Sequence, residues 1–235
     1  MQLFASGWKV FDADLPVMTC EYSFGPGTAN ALAVGAARGV IVVSPPWRAD
    51  DAVYDGLAPY GPVVGLVASN AFHHLGLPEW KRRFPEAAVY APSQAIARVE
   101  RRTKISPVHP LADIGAIAGR DVDFVDLPHY RTGEALVRMR SSRGLAWYVT
   151  DFMMNMPSLP ANPIARLVFK CTNSAPGLKF NNIAPLFMVR DKRSLKRWLG
   201  EEFRKSPPQW IIAAHGEIAD LGANPAAAQA LFALP

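Results

Sequence analysis

Short apolar, β-branched runs broken by glycine and proline constrain this chain more than any other feature. Met18 to Phe24 is followed by Gly25-Pro26-Gly27, then by Ala29 to Val34, then by Gly39 to Val43, which ends at Ser44-Pro45-Pro46. Such runs read as strands, and their tight spacing predicts antiparallel hairpins at the start of the fold. Helical and strand periods then alternate. Asp50 to Leu57 carries Val53 and Leu57 at helical spacing, Val63 to Val67 reads as a buried strand, and Leu77, Trp80 and Phe84 recur at i, i+3 and i+7 around Pro78 in a first helical turn. Val89-Tyr90 reads as a short strand, Ser93 to Arg101 as a helix and Val122 to Leu127 as a strand. Ala135 to Met139 and Ala146 to Val149 pair as a hairpin across Ser141-Ser142-Arg143-Gly144.

Residues 152–182 interrupt this regularity: Phe152-Met153-Met154-Asn155-Met156 precedes Pro157, Pro160, Pro163 and Pro176. Methionine suits either an adaptable apolar groove or plain core filling, and core filling is the commoner use. Asp191 then caps a helix that places Leu195, Trp198 and Leu199 on one face; Trp210 to Ala214 is a last strand, and Asn224-Pro225 opens a terminal helix. No repeat or linker divides the chain, so residues 1–235 read as one layered α/β domain.

At 235 residues, 50% hydrophobic and 19% charged, the chain can bury a full core. No apolar run is long enough to span a bilayer and residues 1–20 have no leader pattern, so the expectation is a cytoplasmic protein without a membrane partner. Cys20 and Cys171 lack C-x-x-C spacing and read as reduced, structural thiols. The net charge of +5 gathers in Lys81-Arg82-Arg83, Arg98 with Arg101-Arg102 and Lys104, and Lys192-Arg193 with Lys196-Arg197, each on or beside an amphipathic helix. Solvated helix faces account for that pattern, and no nucleic-acid motif accompanies it.

Four of the five histidines stand at the ends of β-like segments. His73-His74 follows the Val63 to Val67 run, His129 closes Leu127-Pro128-His129, His215 closes Ala214-His215-Gly216, and Asp151 ends Val149-Thr150-Asp151; only His109 lies outside the pattern. Loops at strand ends bring residues distant in sequence together, and imidazole with carboxylate is the donor set of zinc, iron and manganese. The residues thus point to a metal site assembled from distant loops.

The order of hairpins, His-bearing loop, helix, strand-His, hairpin-Asp, helix and strand-His-Gly resembles the metallo-β-lactamase superfamily, from about Thr28 to Asn224. The resemblance implies a four-layer αββα sandwich with metal at the sheet edge and the leading motif H-x-H-x-D-H. Here that stretch reads Ser69-Asn70-Ala71-Phe72-His73-His74. Ser69 and Ala71 replace the first two imidazoles, so the resemblance implies one divalent ion rather than two, most simply zinc, with iron or manganese as alternatives. It implies metal ligands drawn from His73, His74, His129, Asp151 and His215. His74, Asp151 and His215 are expected to converge, with His73 as fourth ligand or proton carrier and His129 orienting substrate or water. The catalytic candidates are accordingly His73, Asp151 and His129. The implied activity is metal-dependent hydrolysis of a small-molecule ester, thioester, lactone or phosphoester. The alternatives are a non-catalytic binding protein on the same sandwich and, ranked last, an RNA-processing relative. A homodimer through the methionine-rich segment is a further expectation.

Overall fold

Alternation of side chains along the strands dictates the architecture. The computed structural model describes residues 2–3, 6–25 and 27–232, which leaves Pro26 of the Gly25-Pro26-Gly27 turn outside the described residues. The first sheet has eight strands in sequential order: β1 (Gln2–Leu3), β2 (Trp8–Asp12), β3 (Val17–Ser23), β4 (Thr28–Ala36), β5 (Gly39–Val43), β6 (Val63–Val67), β7 (Ala88–Ala91) and β8 (His109–Pro110). Strands β1 to β5 form an antiparallel meander, and β5 to β8 run parallel. The change follows from the connections: short turns join the meander, whereas α1 (Asp51–Asp55), α2 (Leu77–Arg83) and α3 (Ile96–Thr103) lie between the parallel strands. Strand β2 was not anticipated from the sequence, and the third helix begins at Ile96 rather than Ser93.

After α4 (Gly115–Ala118) the chain builds a second sheet from β9 (Val122–Asp126), β10 (Ala135–Ser141) and β11 (Gly144–Val149). It then leaves through a small two-stranded ribbon of β12 (Met153–Met156) and β13 (Gly177–Phe180), with α5 (Pro163–Cys171) between them. Beyond α6 (Lys192–Lys205), β14 (Trp210–Ala213) adds parallel to β11 and β15 (Ile218–Asp220) adds antiparallel to β14, before α7 (Pro225–Phe232). Segment 152–182 is thus more ordered than its prolines suggest. Asn162 caps α5 by accepting from the Ile164 and Ala165 amides, and Pro163 opens the helix.

Period-two burial sorts each central strand between two cores. In β4 and β5, Ala31, Ala33, Val40 and Val42 face the helical layer with Leu77, Trp80 and Val99, while Leu32, Val34, Ile41 and Val43 face the other sheet. In the second sheet Ala135, Val137, Ala146, Tyr148 and Ile212 meet them, and Leu136, Trp147, Val149 and Ile211 pack under α6 with Leu195 and Leu199. The result is helices, sheet, sheet, helices: the expected αββα sandwich. Met153 and Met154 are buried, so core filling is what these methionines do.

Polar bonds close the sandwich at one end. Asn30 Nδ2 donates to the Ala213 carbonyl at 3.0 Å and the Gly216 carbonyl at 2.8 Å, and the Tyr148 hydroxyl donates back to the Asn30 carbonyl at 2.7 Å. Between the sheets, Leu32 is fully buried. Leu32→Ala removes that packing without disturbing these bonds and should lower the unfolding free energy by about 2–5 kcal/mol. Urea denaturation should show this as a lower midpoint with an unchanged slope.

Candidate metal centre

The site lies at the end where β4, β6, β11 and β14 deliver their C-terminal or N-terminal loops. After β6, Ala68 still bonds to the Tyr90 carbonyl, and the chain then turns sharply through residues 69–76. The turn is set by Asn70, whose Oδ1 accepts from the amides of Phe72 at 2.8 Å and His73 at 3.1 Å. Backbone bonds from Ala71 to the Thr132 carbonyl and from Ala135 to the Ser69 carbonyl dock this loop on the segment entering β10. Gly76 passes so close to the Pro45 carbonyl that a Cβ would lie 2.2 Å from its oxygen, so only glycine fits where the loop enters α2.

Three side chains converge. His73 Nε2 lies 3.4 Å and His215 Nε2 lies 3.1 Å from the same oxygen, Asp151 Oδ1. One ligand atom from each of His73, Asp151 and His215 lies within 4.8 Å of the others. His215 Nδ1 faces the Thr28 carbonyl at 3.2 Å, which makes Nε2 the nitrogen turned toward the centre. Gly216, at φ +114°, lets the chain turn there, because a Cβ would fall 1.9 Å from the Asn155 carbonyl oxygen.

The other carboxylate oxygen, Asp151 Oδ2, accepts from Asn70 Nδ2 at 2.8 Å, and the same amide donates to Glu134 Oε2 at 2.9 Å. Glu134 is fully buried; its Oε1 accepts from the Asp151 amide at 2.9 Å and from the Thr150 hydroxyl. Asn181 donates to the Asp151 carbonyl at 2.8 Å, tying the residue after β13 to the same point. Burial pushes the Asp151 carboxyl up, but the His73 charge and the hydrogen bonds from His215 and His73 outweigh it and hold the group well below the usual carboxylate range. Burial pushes the Glu134 carboxyl well above that range, and the Asp151 charge adds to the rise. Burial lowers the His215 imidazole, yet the Asp151 hydrogen bond and charge more than reverse this, so it ends raised.

Two of the sequence candidates stand elsewhere. His74, expected to converge with Asp151 and His215, is outside the group, and His73 takes its place. Adjacent side chains cannot both turn inward here: the Asn70 turn aims His73 at Asp151, whereas His74 lies half-buried among the charges of Arg98 and Arg102. Its pKa is lowered, chiefly by burial. His129, expected near substrate, is exposed in the left-handed conformation at φ +65°, where its carbonyl accepts from the Arg190 amide. His109 stacks beside Tyr90 on the far edge of the first sheet. Asn70, Glu134, Thr150 and Asn181 are the site residues that sequence reading missed. All but Asn181 sit inside or beside the motifs that carried the resemblance, but no spacing rule marks them.

No family model matches the sequence, and no curated protein matches it either. Solved structures do. The DIM-1 metallo-β-lactamase superposes with a TM-score of 0.56 at 14% identity over 96% of each chain. The chain has the metallo-β-lactamase fold. The FIM-1 metallo-β-lactamase from Pseudomonas aeruginosa, in its mono-zinc form, gives 0.56 at 14% identity over 97% of this chain and 91% of that one. A flavo di-iron protein mutant from Thermotoga maritima gives 0.59 at 8% identity over 96% of this chain and 60% of its own length. Within the metallo-β-lactamase fold, this chain's own donor set fits a divalent ion: two imidazole nitrogens and a carboxylate oxygen share one focus, and the opposite atoms of His215 and Asp151 are already held by Thr28 and Asn70.

In metal-free protein the Asp151–His215 pair makes stability depend on pH. The depressed Asp151 pKa contributes stability above its unfolded value of about 3.9, lost as pH falls through the folded value. The raised His215 pKa contributes fully below about 6.5, lost as pH rises through its folded value. The two contributions overlap from about pH 4 to about pH 6.5. In chelator-treated protein, the difference in unfolding free energy between wild type and Asp151→Asn should therefore be largest there and shrink as pH rises above it. A difference that grows toward pH 9 would contradict the pairing.

Proposed function

We propose that this chain is a metal-dependent hydrolase with one divalent ion held by His73 Nε2, Asp151 Oδ1 and His215 Nε2. The observation that carries the reading is the convergence of these three atoms on one point with their orientation fixed from behind. Three protein ligands leave coordination positions open, the arrangement of catalytic rather than structural sites. Zinc accepts the two-imidazole, one-carboxylate set, and so do iron and manganese. When bound, such an ion supplies a Lewis acid that activates water near neutral pH and polarises a substrate oxygen.

The protein's own groups define the rest. His73 turns Nε2 to Asp151 at 3.4 Å and its buried Nδ1 away from it, so in this reading the imidazole serves as a ligand. A groove of about 410 Å³ runs between the β3 end and the loop after β5, lined by Tyr22, Phe24, Trp47 and Arg48. The Phe24 ring packs edge-on against His215 at 5.8 Å, joining groove to centre. That lining suits the apolar body of a small ester, thioester, lactone or phosphoester. A second ion finds no ligands where the family's leading pair would stand: the Ser69 hydroxyl bonds to the Ser44 hydroxyl at 2.8 Å in the buried interior, and Ala71 offers a methyl group.

Metal analysis of purified protein tests this. We expect about one equivalent of zinc per chain, retained by Ser69→Ala and lost from His73→Ala, Asp151→Ala and His215→Ala, because too few donors then remain. His74→Ala and His129→Ala should keep the metal. Hydrolysis of model esters and phosphoesters should fall with the metal on chelation and return with added zinc. Two equivalents in wild type, or none, would defeat the reading.

A further inference from the structure

We infer that the Asn70 amide stands where a second cation would otherwise meet Asp151, and that it thereby aims the carboxylate at the two imidazoles. The inference rests on the metal reading above but concerns a residue that touches no ion. Asn70 spends its side chain in two directions. Its oxygen holds the amides of Phe72 and His73, fixing the backbone that carries one ligand, and its nitrogen donates to Asp151 Oδ2, fixing another. One side chain thus joins two ligands that lie far apart in sequence.

The amide nitrogen lies between two carboxylates, 2.8 Å from Asp151 Oδ2 and 2.9 Å from Glu134 Oε2. Two carboxyl oxygens converging on one point away from water need a donor between them, and here the two N–H groups of the Asn70 amide provide it. Glu134 cannot swing away, because Thr150 and the Asp151 amide hold its other oxygen. With Oδ2 committed to Asn70, only Oδ1 faces His73 and His215. Asn70 is therefore a positioning residue for the centre, and Glu134 holds Asn70.

Zinc titration calorimetry, metal analysis and the visible spectrum of the cobalt-substituted protein test this in the full chain. Asn70→Ala should bind zinc about ten- to a hundredfold more weakly than wild type. Its cobalt spectrum should change in shape, which loss of stability alone would not produce. Asn70→Asp places a third carboxylate against Asp151 and Glu134 where the donor stood, and should take up a second divalent ion. Glu134→Gln turns an amide nitrogen toward the Asn70 amide, displaces it, and should reproduce the weakened binding should either Asn70 variant fail to fold. Wild-type affinity and an unchanged cobalt spectrum in Asn70→Ala or Glu134→Gln would overturn the inference, as would an unchanged stoichiometry in Asn70→Asp. Failure of wild type itself to bind metal would instead overturn the metal reading, and the inference with it.

Discussion

A half-buried carboxylate that must be compensated governs the functional end of this protein. Asp151 lies two residues beyond β11 where the two sheets close, and an unpaired charge there would be costly. Three side chains from two loops compensate it: the loop after β6 brings His73 and Asn70 and the loop after β14 brings His215, while Asn181, following β13, holds the Asp151 backbone carbonyl. The centre and the closure of the sandwich are thus one arrangement. A change that misplaces Asp151 frees all of these loops together.

The same end of the molecule uses buried polar side chains as fasteners. Asn30 joins β4 to the turn after β14, and Asn70 joins the histidine loop to β11 through Glu134. Each of these amides uses donor capacity on two acceptors, so none can be exchanged for a carboxylate or a hydrocarbon of similar size without leaving a buried group unsatisfied. Apolar packing determines that the sheets stack. These amides determine how their ends line up, which is the precision that a coordination sphere requires.

The strands were legible because apolar, β-branched runs bounded by glycine and proline are local signals, whereas the sorting of Ala31 and Ala33 from Leu32 and Val34 was not, since that stretch is apolar throughout. Strand β2 escaped notice because WKVFD is a short run with a charge in it. Helix α5 was missed although Asn162-Pro163 carries the same start signal as Asn224-Pro225. Its apolar residues Ile164 and Leu167 remain exposed, and the proline count around them argued for irregular chain. The donor set was partly legible: the residue types and their order pointed to His73, Asp151 and His215, but also to His74 and His129, which face elsewhere.

By itself the sequence determined a layered α/β domain of short strands and the placement of imidazoles and carboxylate at strand ends, while its resemblance to the metallo-β-lactamase superfamily implied the αββα order and the replacement of two ligands by Ser69 and Ala71. Tertiary structure alone decided which imidazole of an adjacent pair turns inward, and that His129 points to solvent. It alone brought Glu134 beneath Asp151. The physical reason is range. Apolar runs and donor types are properties of neighbouring residues, whereas the direction of His73 depends on an Asn70 turn, and the aim of Asp151 on an amide and a carboxylate contributed by two other segments.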